Sequence, residues 1–305
     1  PPSTPTPRST RRLWKPLTTS SARPSTADEL FVVGHEALGR SGVETTTLRY
    51  AACLTTSVPT MSRFQTATFQ EAYAWPPWWA VHFGLKQPPA PGRFVLADLG
   101  GPLREPLFPA AIDEDGFTAL VPPRHPATNL IPGVEVDVLG PLGAGFDVGN
   151  MQRLLLVAEA AHLPPLLPLQ HLAPAVALVL EAPTRAQLPP TRRFPPAVEL
   201  HLLTRDGTVG TQGTLEADGD DAPLRRLLRW ADGACFACTP ERYPALARLV
   251  ETVRIQPAAD FAQALVRVSM PCGVGACEVC RIQTRRGERR ACIDGPVFNL
   301  LDLRV

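Results

Sequence analysis

Between residues 63 and 150, apolar and polar positions alternate in short runs. Phe64-Gln-Thr-Ala-Thr-Phe69 alternates loosely and Trp79-Ala-Val-His-Phe-Gly-Leu85 more strictly; Gly92-Arg-Phe-Val-Leu-Ala-Asp98 and Gly133-Val-Glu-Val-Asp-Val-Leu139 complete the set. Pro76-Pro77, Pro88-Pro89, Pro91-Gly92, Asp115-Gly116 and Pro132-Gly133 punctuate them. Alternating runs cut by turn signals predict a small antiparallel β-barrel. After residue 150 the rhythm changes. Arg153-Leu-Leu-Leu-Val157 and Val176-Ala-Leu-Val-Leu180 are unbroken apolar runs, and Val198-Glu-Leu-His-Leu-Leu203 is a third. Strands covered on both faces in a parallel sheet read this way. Leu224, Leu227, Leu228 and Ala231 recur at i, i+3, i+4 and i+7, as do Leu246, Leu249, Val250 and Val253. That spacing predicts two amphipathic helices.

These patterns divide the chain into a barrel over residues 61–150, a doubly wound α/β domain over 151–256 and a small domain over 257–305. Doubly wound sheets are a frequent setting for dinucleotides. Residues 1–60 fit neither pattern. Pro1 to Ser25 is rich in Ser, Thr, Pro and Arg, a composition that predicts disorder. We read residues 1–60 as a dispensable extension before Met61; a transit peptide is the second reading.

Composition narrows the function. The 305 residues are 45 % apolar with a formal charge of +1. A balanced charge gives no global attraction for nucleic acid, and no apolar stretch reaches the length of a membrane span. The 35 prolines predict short elements and rigid loops.

Seven cysteines change the picture more. Four of them, Cys272, Cys277, Cys280 and Cys292, read C-x4-C-x2-C followed by eleven residues and a last C. Plant-type [2Fe–2S] proteins space their ligands as C-x4-C-x2-C plus a later cysteine. Gly273 and Gly275 supply the positive φ values that such a wrapping loop needs. A structural zinc site also accepts four thiolates, but usually through paired knuckles, and it stays open as the alternative. An odd cysteine count in a long chain argues against a disulfide framework. Cys235 and Cys238 form a C-x2-C pair inside an apolar run, which reads as packed core thiols before it reads as a redox pair. Reduced thiols and a cluster together place the chain in a reducing cytoplasm.

Met270-Pro-Cys-Gly-Val-Gly-Ala-Cys-Glu-Val-Cys280 and Ala291-Cys-Ile-Asp-Gly-Pro-Val-Phe298 resemble the cluster domain of the electron-transfer subunit of two-component dihydroorotate dehydrogenase. Asp137-Val-Leu-Gly-Pro-Leu-Gly-Ala-Gly-Phe-Asp147 is similar to that family's turn leaving the flavin barrel, and Cys235-Phe-Ala-Cys-Thr-Pro240 to the strand and turn closing its nucleotide domain. The resemblance runs in family order from about Arg63 to the C-terminus. It implies a ferredoxin-reductase-like fold with a [2Fe–2S] cluster on the four cysteines. It also implies FAD in the barrel, near Arg104, Gly143 and Gly145, and NAD(H) across the α/β domain. The implied partner is a dihydroorotate dehydrogenase-like FMN catalytic subunit, in pyrimidine biosynthesis. No residue is assigned as catalytic, because the cofactors carry the chemistry.

The chain departs from the family at both nucleotide sites. In Leu103-Arg-Glu-Pro-Leu-Phe-Pro109, Arg104 matches an arginine of the flavin signature, but Glu105 replaces a second one and Phe108 a serine. Arg124-His-Pro-Ala-Thr-Asn129 replaces a glycine–threonine loop, with Thr128 left as a substitute hydroxyl. After the first α/β strand, Ala158-Glu-Ala-Ala-His162 stands where the family carries a glycine triplet. Those glycines let backbone approach a pyrophosphate, so NAD(H) is not expected to bind normally here. Arg281, Arg285, Arg286, Arg289 and Arg290 follow the cluster loop; they read as a solvated hairpin face or as a docking surface for an acidic partner. Two other functions stay open on sequence: a cluster-only relay, and an adaptor stapled by zinc.

Overall fold

The computed structural model describes residues 64–217, 219–258 and 260–304; the expected extension over residues 1–60, with Cys53, lies outside them. The first seven strands are β1 (Phe64–Trp75), β2 (Trp78–Gly84), β3 (Phe94–Ala97), β4 (Glu105–Leu107), β5 (Ala111–Ile112), β6 (Gly116–Val121) and β7 (Glu135–Leu142). They form one sheet in the order β4-β3-β7-β1-β2-β6-β5, antiparallel throughout. Leu107 at one edge and Phe117 near the other share a single core with Phe83, Val95 and Val138. The sheet is therefore rolled around one interior, as the alternation predicts.

The second sheet contains β8 (Arg153–Glu159), β9 (Ala175–Ala182), β10 (Val198–Thr204), β11 (Thr211–Gln212), β12 (Gly233–Ala237) and β13 (Ala262–Leu265). All are parallel, in the order β11-β10-β9-β8-β12-β13. Helices α1 (Pro223–Trp230) and α2 (Tyr243–Val253) sit where the apolar spacing predicts them. The C-terminal segment adds a hairpin of β14 (Arg281–Thr284) and β15 (Gly287–Arg290), then β16 (Val297–Asn299). Strand β16 pairs antiparallel with β13 and completes the second sheet. The cluster segment is thus stitched to the α/β sheet by backbone hydrogen bonds, and the sheet continues past residue 256.

The two faces of this sheet are covered differently. Leu155 and Val157 pack with Leu227, Leu246 and Val250 of the helices. Leu154 and Leu156, one position out of step, pack with Leu163, Leu166 and Leu169. These last three belong to a strap running as 3₁₀ turns over Ala160–His162 and Pro164–His171. Pro164, Pro165 and Pro168 lack the N–H that an α-helix uses, which explains the tighter and less regular path. Trp78 shares this second core, and Trp75 lies 5.6 Å from Trp78 between ring centroids. These tryptophans pack the barrel against the strap.

One buried hydroxyl ties β12 to β13. The Tyr243 hydroxyl donates to the Leu265 carbonyl at 2.5 Å and accepts from the Cys238 N–H at 3.1 Å. The ring has no exposed surface. Tyr243→Phe strands both backbone groups, and a stranded buried group costs about 1–3 kcal/mol. A fall of that size in urea-unfolding stability is the expected result.

Candidate metal centre and nucleotide crevice

The cysteine loop leaves β13 and seats against the barrel. Gly273 and Gly275 have φ of 66° and 72°, the left-handed region where glycine is favoured. A Cβ on Gly273 would come within 2.7 Å of Leu96 and 2.8 Å of Leu142, and one on Gly275 would strike Ile293. The loop therefore has both the backbone freedom and the tight seating that the sequence reading asks for. Glu278 also adopts a positive φ, of 55°, the strain that a wrapping loop imposes on a residue between two cysteines.

The four thiols come as two pairs. Cys280 and Cys292 are both buried, with sulfurs 3.4 Å apart. Cys277 lies close enough to Cys272 for its side chain and N–H to act on the Cys272 thiol. Among the described residues no three Cys, His, Asp or Glu side chains converge on a single-ion site. Two pairs are the division that a two-iron core with four cysteine ligands calls for. Burial works to raise the Cys272 thiol, but N–H groups of Cys277, Val274 and Ala276 outweigh it and bring it down to about 6. That favours the thiolate, the form that binds metal. Burial and the neighbouring Cys280 push the Cys292 thiol up to about 12. A bound cation reverses such a shift, because a coordinating thiol is deprotonated outright.

Most of the arginine face is neutralised within the chain. Arg281 pairs with Glu278 and Glu288, Arg285 with Glu251, Arg286 with Asp302 and Arg290 with Asp294. Arg290 also donates to the Gly275 carbonyl at 3.3 Å, so it braces the cysteine loop. Val274 and Val279 are exposed beside the exposed Cys277, giving the loop an apolar lip.

The residues expected near a flavin are placed otherwise. Arg104 donates to the Asp137 carbonyl at 3.0 Å and lies over the Phe64 ring. A Cβ on Gly143 would strike the Gly295 carbonyl, and one on Gly145 would lie 2.5 Å from the Pro91 carbonyl. Both glycines are close-packed turns of the barrel, and Gly143 meets the cluster segment. The Thr128 hydroxyl donates to the His125 carbonyl at 2.7 Å. Between β4, β6 and the Pro164-Pro165 turn lies a cavity of about 50 Å³, lined by Phe108, His125 and Arg267. Ring-sized ligands occupy several hundred Å³. Phe108 packs on Phe94 and under the Arg267 guanidinium, so an isoalloxazine ring fits this slot only with Phe108 displaced.

A second site lies at the carboxyl ends of the parallel strands. Strands β8 and β12 are neighbours whose chain connections run to opposite sides of the sheet. That makes their carboxyl ends the switch point where doubly wound folds hold ligands. Glu159 ends β8, and its Oε2 accepts from both the Thr239 N–H and the Thr239 hydroxyl at 2.5 Å. Arg242 donates to Glu159 at 2.9 Å, to Glu181 at 2.6 Å and to Glu216. Glu181 also accepts from Arg205 and from the Leu215 N–H, both at 2.8 Å. Burial opposes ionisation of both, but hydrogen bonds from Thr239 and Arg242 hold Glu159, and those from Arg242, the Leu215 N–H and Arg205 hold Glu181, below the usual carboxylate range. The three carboxylates raise Arg242 against its own burial. Sequence reading marks Glu159, and Thr239 as a departure from the family's Cys-Gly-Pro, in this network. Arg242 and Glu216 carry no local signal, because the partners lie 26 to 83 residues apart.

Cys235 and Cys238 belong to opposite cores of the sheet, and burial raises both thiols. They are packing residues rather than a redox pair. His162 is half-buried, and burial and the nearby Arg267 lower it.

Comparison with known proteins agrees with this geometry. Residues 268–304 match the iron–sulfur cluster binding domain of dihydroorotate dehydrogenase B. The electron transfer subunit of dihydroorotate dehydrogenase B (NAD(+)) from Bacillus caldolyticus is 33 % identical over 228 residues, covering 68 % of this chain and 84 % of that protein. Its counterpart from Caldanaerobacter subterraneus is 28 % identical over 220 residues, covering 69 % and 85 %. Among solved structures, the NADH-dependent reduced ferredoxin-NADP oxidoreductase superposes with a TM-score of 0.64 at 20 % identity, covering 78 % of this chain and 89 % of that one. The Amycolatopsis cytochrome P450 reductase GcoB gives 0.53 at 21 % identity, covering 68 % and 72 %. These two likenesses establish a ferredoxin-reductase-like fold. Taken with the relatives' identity and coverage, the chain belongs to the family of electron transfer subunits of dihydroorotate dehydrogenase B.

Proposed function

We propose that this chain passes single electrons through a [2Fe–2S] cluster held by Cys272, Cys277, Cys280 and Cys292. The exchange partner is the FMN-bearing catalytic subunit of a dihydroorotate dehydrogenase, in pyrimidine biosynthesis. The two-pair arrangement of thiols inside the family-matched segment carries this reading. One-electron storage is what the cluster supplies when bound. The chain's own residues hold and tune it. Gly273 and Gly275 shape the loop, Arg290 braces it, and N–H groups of Val274, Ala276 and Cys277 face the Cys272 sulfur. The apolar lip of Val274 and Val279 beside exposed Cys277 supports docking of the partner over the loop. A reducing cytoplasm suits reduced thiols and a cluster, and no helix among the described residues is long and apolar enough to cross a membrane.

Two measurements test the reading. Cys292→Ser removes one ligand of the buried pair, so anaerobically purified variant is expected to lose its iron and acid-labile sulfide; Cys235→Ser, in the sheet core, is expected to keep both. Second, dihydroorotate added anaerobically to this chain together with its catalytic subunit is expected to bleach the cluster absorbance, and to leave it unchanged without that subunit. Persistent colour with both subunits present would remove the partner assignment, and a colourless zinc-loaded chain would favour a structural staple.

A further inference from the structure

The relatives are named for NAD(+), and a doubly wound sheet offers dinucleotides the crevice at its switch point. In this chain that crevice contains its own anion. Three features meet there. First, β8 ends in Ala158 and Glu159 and the turn leaving it carries Ala160 and Ala161, so side chains stand where a close-approaching backbone would receive a pyrophosphate. Second, the carboxylate of Glu159 crosses from the end of β8 to the end of β12 and takes both the N–H and the hydroxyl of Thr239. Both donors at the switch point are thereby occupied. Third, Arg242, the nearest cation, is surrounded by Glu159, Glu181 and Glu216. Arg205 pairs with Glu159 and Glu181 as well, so each of the three carboxylates is already met by a guanidinium. A dinucleotide pyrophosphate is itself anionic and would have to displace a satisfied internal network.

We infer that Glu159 is a built-in replacement for the dinucleotide phosphate, and that this subunit does not take hydride from NADH. The sheet keeps the family architecture, while its switch point is a lock between β8, β9 and the turn before α2. Electrons then exchange with the cluster singly, from protein carriers and not from a nicotinamide bound to this chain.

The experiment uses the anaerobically purified full chain. NADH and NADPH are titrated calorimetrically up to about 1 mM, the upper end of ordinary substrate affinities, and the absorbance is followed in parallel. The expected result is no binding heat and no bleaching by either nucleotide, with dithionite bleaching the same sample. Binding heat from NADH overturns the inference whatever the state of the cluster. Failure of dithionite to bleach removes the relay proposal instead, so the two failures are separable. A second arm asks whether Glu159 holds an anion position. Glu159→Ala is expected to gain thermal stabilisation from inorganic pyrophosphate that the parent chain lacks; Glu159→Gln, which retains the side-chain volume, is expected to show a smaller gain. Equal stabilisation of parent and variants, or none in either variant, overturns the assignment of Glu159.

Discussion

The structure depends on how one short loop and the turn after a hairpin bring four cysteines together. Cys272, Cys277 and Cys280 fall within nine residues, and Cys292 returns after the β14–β15 hairpin to lie 3.4 Å from Cys280. Such a loop cannot organise itself. It is clamped on three sides: Gly273 sits against Leu96 and Leu142 of the barrel, Arg290 reaches the Gly275 carbonyl, and β16 pairs with β13 of the α/β sheet. Barrel and sheet thus serve as the two jaws of a holder. This gives the large N-terminal part of the described chain a purpose that does not require it to bind any nucleotide.

The two sites that could hold nucleotides are filled by the same means, protein groups placed where ligand groups would go. In the barrel slot the filler is apolar, Phe108 under Arg267. In the switch-point crevice it is ionic, the carboxylates around Arg242. The ionic filler also stabilises. Breaking a buried pair by removing one partner costs about 3–5 kcal/mol because the other charge is left behind, and Arg242 has three partners. Without these carboxylates the crevice would leave polar backbone ends unsatisfied, such as the N–H groups of Thr239 and Leu215 that donate to Glu159 and Glu181.

Much of this was legible in the sequence, for identifiable reasons. The cysteine spacing is local, so it survives as a readable string, and the positive φ of Gly273 and Gly275 follows from the loop it describes. Helices α1 and α2 announce themselves because each buries one stripe. The 3₁₀ strap from Pro164 to His171 was harder to place, since its prolines suppress the helical period while its leucines still face the core. The departures at Glu105, Phe108 and Glu159 were visible as changes of chemistry. What they pack against was not. Phe108 meets Arg267, and Glu159 meets Thr239 and Arg242, across sequence separations that no local pattern encodes. Arg104, Gly143 and Gly145 show the same limit: the sequence marks them as special, and only the fold shows them held by Asp137, Gly295 and Pro91.

The most direct test of the central claim is iron and acid-labile sulfide analysis on anaerobically purified chain, paired with electron paramagnetic resonance after dithionite reduction. The account requires about two irons and two sulfides per chain and a rhombic signal from one unpaired electron. A colourless sample with stoichiometric zinc, no labile sulfide and no signal after reduction would contradict it.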